Sequence, residues 1–177
     1  MATVKVWDPV VRLVHWSLVV AFTLNATIID DDSSLHVTVG YVVVGLVALR
    51  IVWGFIGTRH ARFSDFPPDP AAALQQARDM TLGRRTRHLG HSPLGAFMTY
   101  NLLITLLLLG ATGWIMTLPE ATLGHDPEWA EDLHEALFGW AVFSVVIHIA
   151  AVIFKSRRTG VNLVRAMVTG KKTHDDS

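Results

Sequence analysis

His15, His36, His134 and His148 each lie inside or at the edge of a long apolar segment. Ionisable side chains are costly in such surroundings and mark functional sites by default. The chain has no cysteine, which excludes disulfides, thiolate metal sites, iron–sulfur clusters and thioether-linked c-type haem. Imidazoles so placed either ligate a metal or hydrogen-bond to a neighbouring helix. Spacing favours the first use. His134 and His148 are 14 residues apart, about 21 Å along a helix and about 40° short of four turns, so both rings share one face. His60, His88, His91, His125 and His174 fall in loops or the tail, where solvation suffices; His91 stands just before an apolar segment.

The elements that hold these histidines are read from composition. Of 177 residues, 51% are hydrophobic and 17% charged, with a mean hydropathy of +0.38. Soluble domains carry about 25% charged residues. The apolar residues fall in four blocks, at 10–29, 36–57, 94–118 and 133–154. A membrane-spanning helix needs about 20 such residues. Buried helices of a soluble bundle would show a polar stripe, which these lack. The first block is too long for a cleaved signal peptide and has no small-residue cleavage site. The expectation is an all-α, integral membrane four-helix bundle forming a single domain over 1–177. Residues 30–35 form a short hairpin link, and Ala71–Met80 has helical composition, suited to a membrane surface or a solvated loop. A short helix is expected over Val161–Val168 in the basic tail.

Net charge is zero, with 15 basic and 15 acidic residues, so nothing draws the chain to nucleic acid. The charges are nonetheless separated. Every Lys and Arg belongs to the N-terminus, the 58–92 loop, the tail or the adjoining helix ends, with Arg50 near the same end of the second span. Asp30, Asp31, Asp32, Glu120, Asp126, Glu128, Glu131, Asp132 and Glu135 occupy the other side with no base among them. The positive-inside rule then puts both termini in the cytoplasm. His15 and His148 come to the inner depth, His36 and His134 to the outer one.

Two histidine pairs follow, one near each surface. Zinc wants about four protein ligands, and neither pair offers a second pair of donors. Haem iron brings four equatorial nitrogens and needs only two axial ligands, and helix bundles hold such groups. Bis-histidine ligation leaves no open position and suits electron transfer. Gly40, one turn from His36, and Gly54, fourteen residues further on, would let a porphyrin approach the backbone. Arg12 and Arg50 would pair with propionates at the inner site.

Certain motifs are recognisable. Val6-Trp7-Asp8-Pro9-Val10-Val11-Arg12-Leu13-Val14-His15-Trp16 resembles the opening of the bacterial cytochrome b561 family, which includes the cytochrome b subunits of nickel–iron hydrogenases. Gly90-His91-Ser92-Pro93-Leu94-Gly95-Ala96, Thr112-Gly113-Trp114, Leu133-His134-Glu135 and Val146-Ile147-His148 are similar to its later signatures. The resemblance covers about the whole chain. It implies two haems b in the bacterial inner membrane, ligated by residues matching His15 with His148 and His36 with His134. It also implies exchange of electrons with the quinone pool and a partner at either face.

Several functions fit. One is a di-haem carrier between quinone or quinol and a periplasmic redox protein such as a c-type cytochrome. Others are a superoxide:quinone oxidoreductase and a membrane anchor for a hydrogenase-like dehydrogenase. A non-haem metal-binding membrane protein is the reading from another class. The acidic outer side favours the carrier, because it repels a small anion and attracts a basic protein. A quinone carbonyl needs a donor at the membrane edge, and Arg12, Arg50, His91, Tyr100, Asn101 and Trp114 are candidates. A homo-oligomer is compatible with all of these readings.

Overall fold

The computed structural model describes residues 2–84, 90–119 and 128–174. Four long helices dominate: α1 (Pro9–Thr27), α2 (Ser34–Ile56), α4 (Pro93–Met116) and α5 (Glu128–Thr159). All four are long and apolar enough to cross a membrane. Two shorter helices, α3 (Pro70–Thr81) and α6 (Leu163–Thr169), two 3-10 turns (Arg59–Ala61 and Phe63–Asp65) and a two-stranded sheet complete the described residues. The fold is an all-α membrane bundle. Glu120, Asp126 and His125, with Arg85, Arg87 and His88, lie outside the described residues.

Helix starts are written into the sequence. Asp8-Pro9, Asp69-Pro70 and Ser92-Pro93 each place a capping side chain before a proline in the first turn. The cap accepts a backbone N–H that the helix leaves unpaired, and proline has no N–H there to lose. Ser33 caps α2 through the His36 N–H, and Asn162 caps α6 through Arg165. At the end of α6, Gly170 turns left-handed with φ of 79°. That conformation costs glycine little.

The spans agree with the apolar blocks to within two residues except for the last. Helix α5 has 32 residues, about 48 Å, and so outreaches a hydrocarbon core of about 30 Å. Its apolar stretch ends near Phe154, but Arg158 continues the helix and donates to the carbonyls of Met80 and Arg84. Helix α3 is docked as well as capped. Buried Gln76 accepts from the Leu94 N–H at the start of α4.

Inside the bundle, α1 packs along α2, α2 along α4, and α4 along α5. Ala21, Val43, Val47 and Leu103 form the apolar centre of the first three. The outward faces are apolar and open: Leu13 is 68% exposed, Val20 56% and Phe143 56%. Surfaces so apolar suit a lipid environment.

The sheet was not foreseen from composition. β1 (Ala2–Lys5) pairs antiparallel with β2 (Lys171–His174), joining the two ends of the chain. The Val6 and Trp7 N–H groups continue the clasp by donating to Gly170 O. Val6, Trp7, Val11, Ala61 and Ala166 close a second apolar centre beneath the bundle. Each strand is only four residues long, so its pairing depends on a partner about 170 positions away rather than on its own pattern.

Candidate functional site

The two expected pairs meet. His15 on α1 and His148 on α5 stand with ring centroids 6.4 Å apart and planes tilted by 54°. His36 on α2 and His134 on α5 also stand 6.4 Å apart, with planes at 61°. All four side chains are half-buried. Helix α5 reaches both because its two histidines share a face, while α1 and α2 run in opposite directions beside it. Between the pairs, Phe22 of α1 and Phe138 of α5 approach to 6.5 Å.

The separation is informative. A metal sits about 2.0 Å from a ligating imidazole nitrogen, and that nitrogen lies about 1.1 Å from its ring centre, so two opposed ligands place their centroids about 6.2 Å apart. Both pairs match this spacing. Neither has a third donor: among the described residues the only cluster of three His, Asp, Glu or Cys side chains is Asp30, Asp31 and Asp32. A bare zinc or copper ion would be under-ligated by two imidazoles. A group that carries its own equatorial donors would not. Helices α1 and α5 also lack the close packing seen between neighbours in the bundle, which leaves width for a flat group between them.

The supporting residues divide. No atom lies within 4 Å of the place a Gly40 Cβ would occupy, so the backbone near His36 is open to a bulky neighbour. Gly54 serves another purpose. The Phe63 ring fills the space its Cβ would take, so this glycine admits an aromatic side chain from the following loop rather than a macrocycle. Arg12 is turned toward the C-terminal clasp, where its Nη1 donates to Val168 O at 2.5 Å. Arg50 is buried, 6% exposed, and neither Nη has a partner among the described residues. Its guanidinium lies 5.4 Å from the Phe63 ring. Buried N–H groups without an acceptor are costly, and an incoming carboxylate would accept from both.

Around Arg50 the basic end of the bundle is aromatic. The Phe63 ring lies 5.4 Å from Tyr100, and Phe66 lies 4.0 Å from His91. Trp7 meets His91 edge-on at 4.7 Å. Burial, then the positive charges of Arg50 and Lys172, push His91 down to about 3. It is therefore neutral, and its buried Nδ1 has no partner among the described residues. Lys172, above the Trp7 ring, is pushed down to about 8 by burial and by Lys155. Of the other quinone candidates, Asn101 is engaged at both ends of its amide: it donates to Ser144 and accepts from Trp140, both at 2.9 Å. Trp114 is 54% exposed on the opposite end of α4.

The model of the prokaryotic cytochrome b561 family matches residues 6–170. The chain belongs to that family. No curated protein and no solved structure matches it. This cytochrome is therefore a multi-pass membrane protein of the b type, built for electron transfer and for binding b-type haem.

Three residues of the cytochrome escaped the sequence reading of its site. Phe63 opens a three-residue 3-10 turn too short to show a periodic pattern. Asp8 caps α1 and also accepts from Trp53 and Thr58, two residues 45 and 50 positions away. Thr112 belongs to a recognised motif, yet its contact with His134 needs two helices to be in place.

Proposed function

We propose that this cytochrome holds two haems b, one between His15 and His148 and one between His36 and His134, and carries electrons across the membrane. The observation that carries this reading is the equal 6.4 Å ring separation in two pairs at opposite ends of the bundle. Bound haem supplies one-electron chemistry; the protein supplies axial nitrogens, a low-dielectric setting and access from either face. Arg50 pairs with a propionate of the His15–His148 site, which gives its two unpartnered Nη groups an acceptor. Gly40 leaves room beside the other site.

The end carrying Lys and Arg faces the cytoplasm, as do both termini, in the bacterial inner membrane. Quinone or quinol exchanges electrons with the cytochrome, and a periplasmic redox protein is the second partner. Asp30, Asp31, Asp32, Glu128, Glu131, Asp132 and Glu135 are all exposed at the end near His36 and His134. A basic c-type cytochrome suits that surface.

Replacing each histidine by alanine in turn tests the ligation. Haem content and difference spectra should fall into two classes, His15 with His148 and His36 with His134. Any other grouping overturns the pairing, and retention of all haem in the four variants overturns the reading altogether.

A further inference from the structure

One of the four histidines has a built hydrogen-bond support. Thr112 Oγ1 on α4 lies 2.9 Å from His134 Nδ1. The same oxygen lies 3.0 Å from the carbonyl oxygens of Leu108 and Leu109 in its own helix. A carbonyl only accepts, and the hydroxyl has one proton to give. Threonine within a helix commonly returns that proton to a carbonyl one turn back. The lone pairs of Oγ1 are then left for His134, whose Nδ1 must carry the hydrogen. The next residue shapes the same place. A Cβ at Gly113 would stand 3.3 Å from His134 Cε1, so the glycine lets α4 lie close against the ring. By contrast, the buried Nδ1 atoms of His15 and His36 have no partner among the described residues.

We propose that Thr112 is a positioning residue for the outer site: it holds His134 as the Nδ1–H tautomer and leaves Nε2 as the ligating nitrogen. This rests on the reading that His36 and His134 hold a haem. Hydrogen bonding at the far nitrogen fixes ring orientation and makes the ligating nitrogen more basic. A more basic ligand favours oxidised over reduced iron, so Thr112 lowers the reduction potential of the outer site. The two sites then differ in potential partly because one imidazole is supported in this way.

Redox titration of purified, haem-loaded Thr112→Val, Thr112→Ser and Thr105→Val tests this. Valine keeps the shape and removes the acceptor; serine keeps the hydroxyl. Thr105 is buried on the same helix and controls for a new valine in the bundle. One midpoint potential should rise in Thr112→Val, with an altered low-spin signal in the oxidised spectrum. Thr112→Ser and Thr105→Val should resemble the parent. Loss of one haem in Thr112→Val with retention in Thr112→Ser also supports the role. Unchanged potentials in Thr112→Val, or the same shift or loss in Thr112→Ser, overturn it. Full haem content in His134→Ala is a separate outcome, which overturns the ligation reading beneath it.

Discussion

The Trp53 indole donates to Asp8 Oδ2 at 3.1 Å, linking the cap of the first span to the end of the second. Thr58 donates to the same oxygen at 2.6 Å, and the Val11 N–H to the other at 3.0 Å. A carboxylate that began as a local helix cap thus fastens the hairpin of α1 and α2 at the end where His15 stands.

Removing that carboxylate should loosen the hairpin. Asp8→Ala costs about 1 kcal/mol for the cap and about 1–3 kcal/mol for the donor of Trp53 left unpaired. Thermal unfolding in detergent should shift down accordingly. The pH dependence has a definite sign. Burial raises the Asp8 carboxyl, but hydrogen bonds from Thr58, Val11, Trp53 and Val10 outweigh it and hold it below 3.8. Its contribution is complete above that ordinary value and disappears as pH falls through the lower folded one. Asp8→Ala should therefore show a flatter acid limb than the parent.

Gly54→Ala places a methyl group where the Phe63 ring lies. Overpacking of this kind costs about 1–3 kcal/mol. The double variant with Phe63→Ala should recover part of the loss of the glycine substitution, measured as a coupling between the two in unfolding experiments. Simple additivity would mean that the two residues do not share the space.

Arg50→Gln removes a buried positive charge while keeping a polar side chain. The midpoint potential assigned to His15 and His148 should fall, because a nearby cation favours the reduced, less positive iron. The other potential should stay within error of the parent. A shift confined to the His36–His134 site would detach Arg50 from the inner propionates.

Electron transfer to a basic c-type cytochrome should slow as salt is added, because the Debye length shrinks from about 30 Å at 0.01 M to about 8 Å at 0.15 M. Neutralising Asp30, Asp31 and Asp32 together to asparagine should slow it roughly 3- to 10-fold at low salt. Stopped-flow mixing measures both. For superoxide the sign reverses: any such rate should rise with salt, since the acidic face repels the anion.

The sequence alone determined the spans, because length and hydropathy are local properties and a 20-residue apolar helix has few alternatives. The Asp8-Pro9, Asp69-Pro70 and Ser92-Pro93 pairs start three helices locally, since a cap acts within one turn. The sequence also determined that His134 and His148 share a face, because helical periodicity is rigid over 14 residues. Depth matching then picked the partners His36 and His15. The tertiary structure decided what depends on contacts between distant segments. It set both ring separations at 6.4 Å, gave the space beside Gly54 to Phe63, turned Arg12 toward Val168, and set Thr112 against His134. It also paired Ala2–Lys5 with Lys171–His174. Local pattern carries no record of which side chain will fill a given space, because packing is settled only when the helices and the loop between them occupy the same volume.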